Sequence, residues 1–328
     1  MHVGVGAWVL VDSCGRTDAP AALEYLETLG VDPGEAVKLI VASHWHDDHI
    51  RGIGKLAAVC RKAKFCCSNV LCANEFLGMV HALDNRHFAT SSSGVREIYS
   101  VFSRLREAGG VPTWAVANRR IFVHGLCRIW ALSPSDDTFV DFMRAMSPLL
   151  PRAGQAETRI PSLSPNEVAM ALRVEVGDLA VLLGADLERR GWLKILEDEA
   201  RPLGTASAFK VSHHGSESAD EPAVWEEMLD VDPVAILTPW QRGNRTLPTS
   251  RDVRRILRRS SDAYATAKTG AVRPTRRGRA VERTIGESGI RLQRTPAPGV
   301  VRLRRPIAPH TQWQVDLLGP ACHLREYI

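Results

Sequence analysis

The apolar and polar positions in the first 63 residues predict two elements joined by a polar loop. An apolar run over residues 36–42, Ala-Val-Lys-Leu-Ile-Val-Ala, is typical of a buried strand. From residue 50 to residue 63 the apolar side chains recur at helical spacing and would share one face of a helix. The sequence therefore predicts a strand, a short loop and then a helix.

Strand and helix patterns continue along the rest of the chain. Residues 167–176 alternate between apolar and polar side chains, and Gly177-Asp178 supplies a two-residue hairpin turn to a return strand at 179–183. The return strand is followed by Asp186, and a short strand that begins at Phe209 is followed by two histidines. Other strands are predicted within residues 2–13, 64–68, 119–134, 234–239, 300–303 and 313–318, and helices within residues 19–30, 85–109, 136–150 and 249–259.

The loop after the first buried strand is rich in potential metal ligands. It contains the pattern H-x-H-x-D-H, formed by His44, His46, Asp48 and His49. In an extended segment, the two imidazoles of His-x-His lie on the same side. Asp48 and His49 then point in another direction, because the next helix begins there. The N-terminus of that helix favours the negative charge of Asp48. One loop can therefore supply two metal positions.

These residues resemble the metallo-β-lactamase superfamily, whose signature is this H-x-H-x-D-H loop. The stretches Gly-Ala-Asp-Leu-Glu at 184–188 and Lys-Val-Ser-His-His-Gly-Ser at 210–216 resemble the metallo-hydrolase domain of the ComEC competence proteins. The resemblance covers about residues 5–270 and implies an α/β fold, the four-layer αββα sandwich. It implies a hydrolase domain at 1–270. Residues 271–328 have no counterpart in the family, and we expect them to form a basic C-terminal extension that packs on the same domain. The superfamily usually has another strand before the one that ends at Asp12, so either the sheet edge is shorter here or the chain start is not the natural one.

The resemblance also implies roles for individual residues. Asp186 would bridge two metals, and Asp12 would buttress the metal loop. His214 is favoured as a ligand because a small residue often follows the last histidine of the superfamily. His213 would then support a ligand or donate a proton, and Asp48 and His213 are the candidate catalytic residues. The expected metal ligands are His44, His46, Asp48, His49, Asp186 and His214.

One histidine of the superfamily pattern is missing. The family has a ligand between the first loop and the bridging aspartate, but residues 132–167 contain no histidine. Asp136 or Asn166 could take its place. The metal position that uses His44 and His46 could therefore be weaker, or could hold a different metal.

Composition gives expectations about the compartment. The chain has 328 residues, of which 45% are hydrophobic and 24% are charged, as is usual for a soluble globular protein. It lacks an apolar run as long as a membrane span and a recognisable signal peptide at its start. Seven scattered cysteines without a Cys-x-x-Cys pair are typical of reduced thiols. We therefore expect a cytoplasmic protein that has no membrane partner.

Positive charge is concentrated at the C-terminal end. Residues 271–328 contain 11 arginines and four acidic residues, whereas the whole chain carries a net charge of +5. This segment and the arginine-rich helix at 249–259 could hold a polyanion, although arginine-rich surfaces also occur without a ligand. The candidate nucleic-acid contacts are Arg251, Arg254, Arg255, Arg276, Arg277 and Arg279.

The predicted ligands indicate metal-assisted hydrolysis. Histidine and carboxylate donors suit Zn²⁺ or Mn²⁺, and two adjacent ions of this kind can activate water. Because the ComEC-like relatives are associated with DNA strand degradation, we expect a phosphodiesterase or nuclease with a nucleic-acid or nucleotide substrate. The alternatives are a hydrolase of a small lactam, ester or thioester, and a metal-stabilised binding subunit without turnover.

Overall fold

A computed structural model of the chain contains two β-sheets that face each other across a buried apolar layer. The structure describes residues 1–13, 20–72, 93–147, 165–242, 245–268, 299–308 and 311–327. The smaller sheet is parallel, and its strands in spatial order are β1 (Trp8–Val11), β2 (Val37–Ala42), β3 (Lys64–Ser68) and β4 (Thr113–Ala115).

The larger sheet has eight strands and is mixed. Its spatial order is β16 (Cys322–His323), β13 (Ala263–Ala265), β10 (Leu229–Leu237), β9 (Ala206–Lys210), β8 (Leu179–Leu183), β7 (Leu172–Val176), β6 (Cys127–Ala131) and β5 (Arg119–His124). Strands β8, β9, β10 and β13 are parallel to one another, whereas the neighbours from β5 to β8 pair antiparallel. Parallel neighbours end at the same edge, and the predicted ligands Asp186 and His214 follow the ends of β8 and β9.

Helices cover the outer face of each sheet. In chain order they are α1 (Ala21–Thr28), α2 (Pro33–Ala36), α3 (Asp47–Ile50), α4 (Ile53–Val59), α5 (Asn69–Cys72), α6 (Ser93–Glu107), α7 (Asp136–Met146), α8 (Arg189–Glu197), α9 (Pro222–Glu227) and α10 (Ser250–Leu257). Side chains of α4, α6 and α7 pack in one buried cluster with β2, and those of α8, α9 and α10 pack on the larger sheet. None of these described helices combines the length and the hydrophobicity of a membrane span.

The surroundings of strand β2 explain why its sequence is almost continuously apolar. Leu39 and Val41 lie in the layer between the sheets, together with Ile129 of the larger sheet. Ile40 points the other way, into the cluster under the helices. Because both faces of the strand are buried, nearly every position must be apolar. The predicted four-layer order of helices, sheet, sheet and helices is confirmed.

The single helix predicted over residues 50–63 is wrong. Two short helices, α3 and α4, take its place because the chain turns at Gly52, where φ is +91°. Glycine adopts this left-handed conformation without a steric penalty. Glu97 accepts hydrogen bonds from the backbone N–H groups of Gly52 and Gly54 and so holds the turn against α6. The predicted helical residues 85–92 and 148–150 lie outside the described part of the chain.

The C-terminal residues contribute to the described fold in two ways. β14 (Val300–Arg304) and β15 (Gln314–Leu318) pair with each other as a separate hairpin, and β16 adds a strand to the larger sheet beside β13. Leu324 and Tyr327 are buried in the cluster between the larger sheet and its outer helices. The proposed boundary at residue 270 stays a prediction, since residues 269–298 are not described.

Candidate metal centre

Asp12 ties the end of β1 to the loop that follows β2. Its Oδ1 accepts a hydrogen bond from the Ser43 backbone N–H at 2.8 Å, and its Oδ2 accepts one from the Ser43 hydroxyl at 2.8 Å. The same Oδ2 accepts a hydrogen bond from Nδ1 of His49, also at 2.8 Å. Asp12 thus connects the end of β1 to both Ser43 and His49.

His44 and His46 form the first ligand group together with Asp186. Nε2 of His44 lies 3.1 Å from Nδ1 of His46 and 3.7 Å from Oδ2 of Asp186. The hydroxyl of Ser43 gives its hydrogen to Asp12, so it accepts from Nδ1 of His44 at 3.0 Å and leaves the other ring nitrogen unprotonated. Burial lowers the pKa of His44 well below its usual value, and burial also lowers the pKa of His46. Both rings are therefore neutral, as metal binding requires.

The second group contains Asp48, His49, Asp186 and His214. Nε2 of His49 lies 3.0 Å from Oδ1 of Asp186, and Nε2 of His214 lies 3.1 Å from Oδ2 of Asp48. The ring centroids of His49 and His214 are 5.8 Å apart. Burial opposes charge on these groups, but the carboxylates outweigh it and raise the pKa of both histidines. Burial likewise opposes the charge of Asp48, yet the hydrogen bond to His214 and the charge of His49 lower its pKa to about 2.

Asp186 is shared by the two groups. Its Oδ2 lies 3.7 Å from Nε2 of His44 and 3.6 Å from Nε2 of His214, so one oxygen stands between a histidine of each group. The residue follows β8, which approaches β9 closely at Gly184. A side chain on Gly184 would come within 2.0 Å of the Ser212 hydroxyl, so only glycine allows these two strand ends to meet.

The arrangement fits two divalent ions. Nε2 of His49 is buried and lies 3.0 Å from Oδ1 of Asp186 without making a hydrogen bond of good geometry, so both atoms are available to bind one ion. The separation of 3.1 Å between the His44 and His46 nitrogens is close to the value for two ligands of one ion. Two nitrogens at about 2.0–2.1 Å from a tetrahedral zinc lie about 3.3 Å apart. The donors are nitrogen and oxygen only, which suits Zn²⁺ or Mn²⁺.

His213 and His214 diverge because the backbone takes a left-handed turn after β9. The φ angles of His213, His214 and Gly215 are +45°, +56° and +82°. For a residue other than glycine such a conformation costs about 1–3 kcal/mol and persists only where the surroundings enforce it. Nδ1 of His214 donates to the Thr238 carbonyl at 2.9 Å, which turns Nε2 towards Asp48 and Asp186. His214, and not His213, belongs to the ligand group.

His213 lies in a polar cluster beside the metal ligands. Nδ1 lies 3.1 Å from the Ser218 hydroxyl and 3.5 Å from Oε1 of Glu188. Nδ2 of Asn166 lies 3.3 Å from the other ring nitrogen, Nε2, and donates to Glu188 at 3.2 Å. The structure therefore places Asn166 against His213 and Glu188. Asp136 is exposed at the start of α7 and belongs to neither ligand group, so the idea that it replaces the missing histidine is wrong.

The six candidate nucleic-acid contacts have different surroundings. Arg254 is exposed on α10, and Arg251 pairs with Glu217 at 3.2 Å on the surface. Arg255 points inward: its side chain is 12% exposed and contacts two carboxylates and a backbone carbonyl. The prediction that Arg255 is a surface contact for nucleic acid is wrong, because its guanidinium binds partners inside the protein. The other three, Arg276, Arg277 and Arg279, lie outside the described residues.

Sequence reasoning missed three contributors to the centre. Thr238 orients His214 through its backbone carbonyl, which no side-chain pattern could indicate. Glu188 contacts His213, and its position two residues after the bridging aspartate is the only available signal. Trp240, which begins the short strand β11 (Trp240–Arg242) paired with β12 (Arg245–Leu247), stacks on the His214 ring at a centroid distance of 6.0 Å and an angle of 23°.

Comparison with known proteins gives a family match in the N-terminal part. Residues 3–113 match the Metallo-beta-lactamase superfamily, about a third of the chain. No curated protein matches the chain.

Several solved structures are similar at low identity. A metallo-beta-lactamase of Cronobacter sakazakii with a HARLDQ motif is 15% identical, with 57% of this chain and 52% of that chain covered and a TM-score of 0.33. The metallo-beta-lactamase fold protein YhfI of Bacillus subtilis is 15% identical, with 62% and 58% covered and a TM-score of 0.31. The match thus spans about half the length of the first of these proteins.

The matched segment contains β1, β2, Asp12 and the complete H-x-H-x-D-H loop. Two facing sheets with outer helices bring that loop to the ends of β8 and β9. Residues 3–113 thus match the Metallo-beta-lactamase superfamily, and the two facing sheets with outer helices form the α/β sandwich of the metallo-beta-lactamase fold.

Proposed function

We propose that this protein is a metal-dependent hydrolase of phosphodiester bonds, a phosphodiesterase or nuclease that uses two divalent ions. The observation that carries the proposal is the position of Asp186 between two ligand groups. A carboxylate shared in this way could hold two ions close enough to act on one phosphoryl group, as two-metal phosphoryl hydrolases require.

The ions supply Lewis acidity, which activates water and neutralises charge on the attacking and leaving oxygens. The chain's own residues hold and orient them. His44, His49, Asp186 and His214 are all buried and restrained by neighbouring groups, so little ordering remains to be done on binding. The side chain of Asp48 is 36% exposed and marks the side of the centre that faces solvent, where a substrate can enter.

His213 is placed to handle a proton. Because Nε2 lies near the amide nitrogen of Asn166, a donor, the neutral ring carries its hydrogen on Nδ1, beside Ser218 and Glu188. Its side chain is 20% exposed, next to the ligand His214. In this proposal the protonated, cationic ring of His213 gives one proton to the leaving oxygen and becomes neutral. The partly exposed ring then takes up a proton from solvent before the next turnover, and Glu188 orients it through Nδ1.

Two features support a phosphodiester substrate. The stretches at 184–188 and 210–216 resemble the ComEC-like hydrolases, and they supply Asp186 and His214 in this fold. In addition, α10 touches the His214 turn through Arg255 and presents Arg251 and Arg254 on its outer surface. The exposed pair of Arg251 with Glu217 is weak enough to be exchanged for a phosphate.

The arginines of the C-terminal hairpin β14–β15 have no such placement. Arg302 and Arg304 both pair with Asp316 within the hairpin. Trp313, just before β15, donates to the hydroxyl of Ser207 near the start of β9, whereas His214 follows the end of that strand. The proposed polyanion surface therefore comprises the outer side of α10, while Arg276, Arg277 and Arg279, outside the described residues, stay candidates from the sequence alone.

A substrate panel tests the proposal. The protein, loaded with Zn²⁺ or Mn²⁺, is incubated with DNA, RNA, a cyclic dinucleotide, a chromogenic phosphodiester and chromogenic lactam, ester and thioester substrates. We expect hydrolysis of phosphodiesters that a chelator abolishes. Turnover of the lactam, ester or thioester alone would replace the proposal with the small-substrate alternative. Binding of two ions without any turnover would favour the binding subunit.

A further inference from the structure

We propose that Arg255 is a positioning residue for the metal ligand His214. The inference builds on the second ligand group of the proposed function. Arg255 belongs to α10, but its side chain turns inward and is only 12% exposed. Its Nη2 donates a hydrogen bond of 2.7 Å to the backbone carbonyl of Gly215, the residue that follows His214.

The turn that carries His214 needs such a support. Three consecutive residues, His213 to Gly215, have left-handed backbone conformations, and none of them lies in a strand. Gly215 is also tightly enclosed, because a Cβ there would meet Ile256 of α10 at 3.0 Å and Leu237 of β10 at 3.3 Å. A charged donor on the Gly215 carbonyl fixes the peptide plane that follows Gly215, one residue after His214, and so restrains the turn that carries the His214 side chain.

Arg255 is itself held from two sides. Nη1 donates to Oδ1 of Asp252 at 2.6 Å, and Nε faces Oδ2 of Asp220 at 3.3 Å. The other oxygen of Asp252 accepts hydrogen bonds from the backbone N–H and the hydroxyl of Thr249 at the start of α10. The planar guanidinium therefore makes directed hydrogen bonds to Asp252 and Gly215 and an ion pair with Asp220.

Lysine keeps the charge but cannot reproduce this geometry, because its ammonium is a single point donor on a flexible stem. The support of His214 is then divided between two elements. Thr238, which follows β10, accepts a hydrogen bond from the His214 imidazole. Arg255 of α10 donates one to the backbone carbonyl of Gly215. Loss of one of these two contacts should leave His214 in the site with its imidazole less precisely oriented towards the metal.

Metal affinity tests this inference without any substrate. Zinc is titrated into the metal-free protein in competition with a chromophoric chelator, for the parent chain and for Arg255→Lys. We expect the affinity of the second group to fall about 10–100-fold, as for other residues that orient ligands, while the group of His44 and His46 keeps its affinity. Arg258→Lys, at an exposed arginine at the C-terminal end of the same helix, should bind both ions like the parent.

Two further variants separate positioning from general stability. Val253→Ala removes buried packing from α10 without touching the Gly215 carbonyl, so it should lower the unfolding temperature and leave zinc affinity unchanged. Asp220→Asn keeps the shape of one Arg255 partner and should weaken the second site even if Arg255→Lys does not fold. An equal loss of affinity in Val253→Ala, or parental affinity in folded Arg255→Lys and Asp220→Asn, would overturn the inference.

These outcomes are independent of the substrate. If the parent binds two ions but cleaves no phosphodiester, the proposed function fails while the role of Arg255 is still decided by the affinities. If the parent cleaves phosphodiesters and folded Arg255→Lys binds both ions like the parent, only the role of Arg255 fails.

Discussion

Asp12 holds His49 by a hydrogen bond of 2.8 Å between Oδ2 and Nδ1, although 37 residues separate them in the chain. The bond leaves Nε2 of His49 directed at Asp186, 3.0 Å away. Two parallel strands, β1 and β2, thus fix a metal ligand through a carboxylate that does not itself belong to either ligand group.

Replacement of Asp12 should therefore weaken one metal position more than the other. In Asp12→Asn the charge that supports His49 is lost, and we expect the affinity of the second group for zinc to fall about 10–100-fold. Competition with a chelator measures the change. Asp137→Asn, an exposed aspartate on α7, serves as the control. Equal affinities in Asp12→Asn and the parent would show that the buttress does not matter for binding.

The two adjacent histidines should separate binding from turnover. His214→Ala should lose about one ion per chain, because it removes a ligand of the second group. His213→Ala should keep both ions and lose about 10²–10⁴-fold in turnover, the usual contribution of a general acid. Metal analysis together with rates on one chromogenic phosphodiester measures both effects. Loss of an ion in His213→Ala with both ions retained in His214→Ala would reverse the two roles.

Metal binding should release protons. The carboxylates raise the pKa of His49 and His214 against the effect of burial, so in the metal-free protein both rings keep their protons to a higher pH than an ordinary histidine does. A metal must displace these protons, and its affinity should therefore rise with pH through and above the usual range of histidine titration. Calorimetric titrations in two buffers of different ionisation enthalpy count the protons released. A binding enthalpy that is the same in both buffers would contradict the prediction.

The outer face of α10 should contribute to nucleic-acid binding in a salt-dependent way. Arg251→Glu combined with Arg254→Glu should weaken binding and reduce the slope of log K against log salt by about 0.7–0.9 for each lost phosphate contact. Fluorescence anisotropy with labelled single-stranded DNA at several salt concentrations measures the slope. Arg304→Glu, the same charge change on the β14–β15 hairpin, should have no effect; the reversal of Arg276, Arg277 and Arg279 tests the neighbouring segment. Identical slopes for the α10 variant and the parent would exclude that surface.

The ligands could be predicted from sequence because their chemistry is local. His44, His46, Asp48 and His49 lie within six residues, and a strand pattern precedes them. The order of layers also followed, because the family resemblance supplied a complete architecture.

Features that depend on distant partners could not be predicted. The helical spacing of α10 cannot tell which arginine turns inward, since the partners of Arg255 come from Gly215 and Asp220. Likewise, the left-handed turn at His213 and His214 is enforced by Thr238 and α10, so adjacent histidines diverge for a reason other than strand alternation.

The central claim, that two ions bridged by Asp186 perform the hydrolysis, is tested most directly by a metal titration of activity. Zn²⁺ or Mn²⁺ is added stepwise to the metal-free protein, and the rate on a chromogenic phosphodiester is measured at each ratio of metal to chain. We expect little activity at one equivalent, full activity at two, and neither the second ion nor turnover in Asp186→Ala. Full activity at one equivalent, or two ions still bound in Asp186→Ala, would contradict the account.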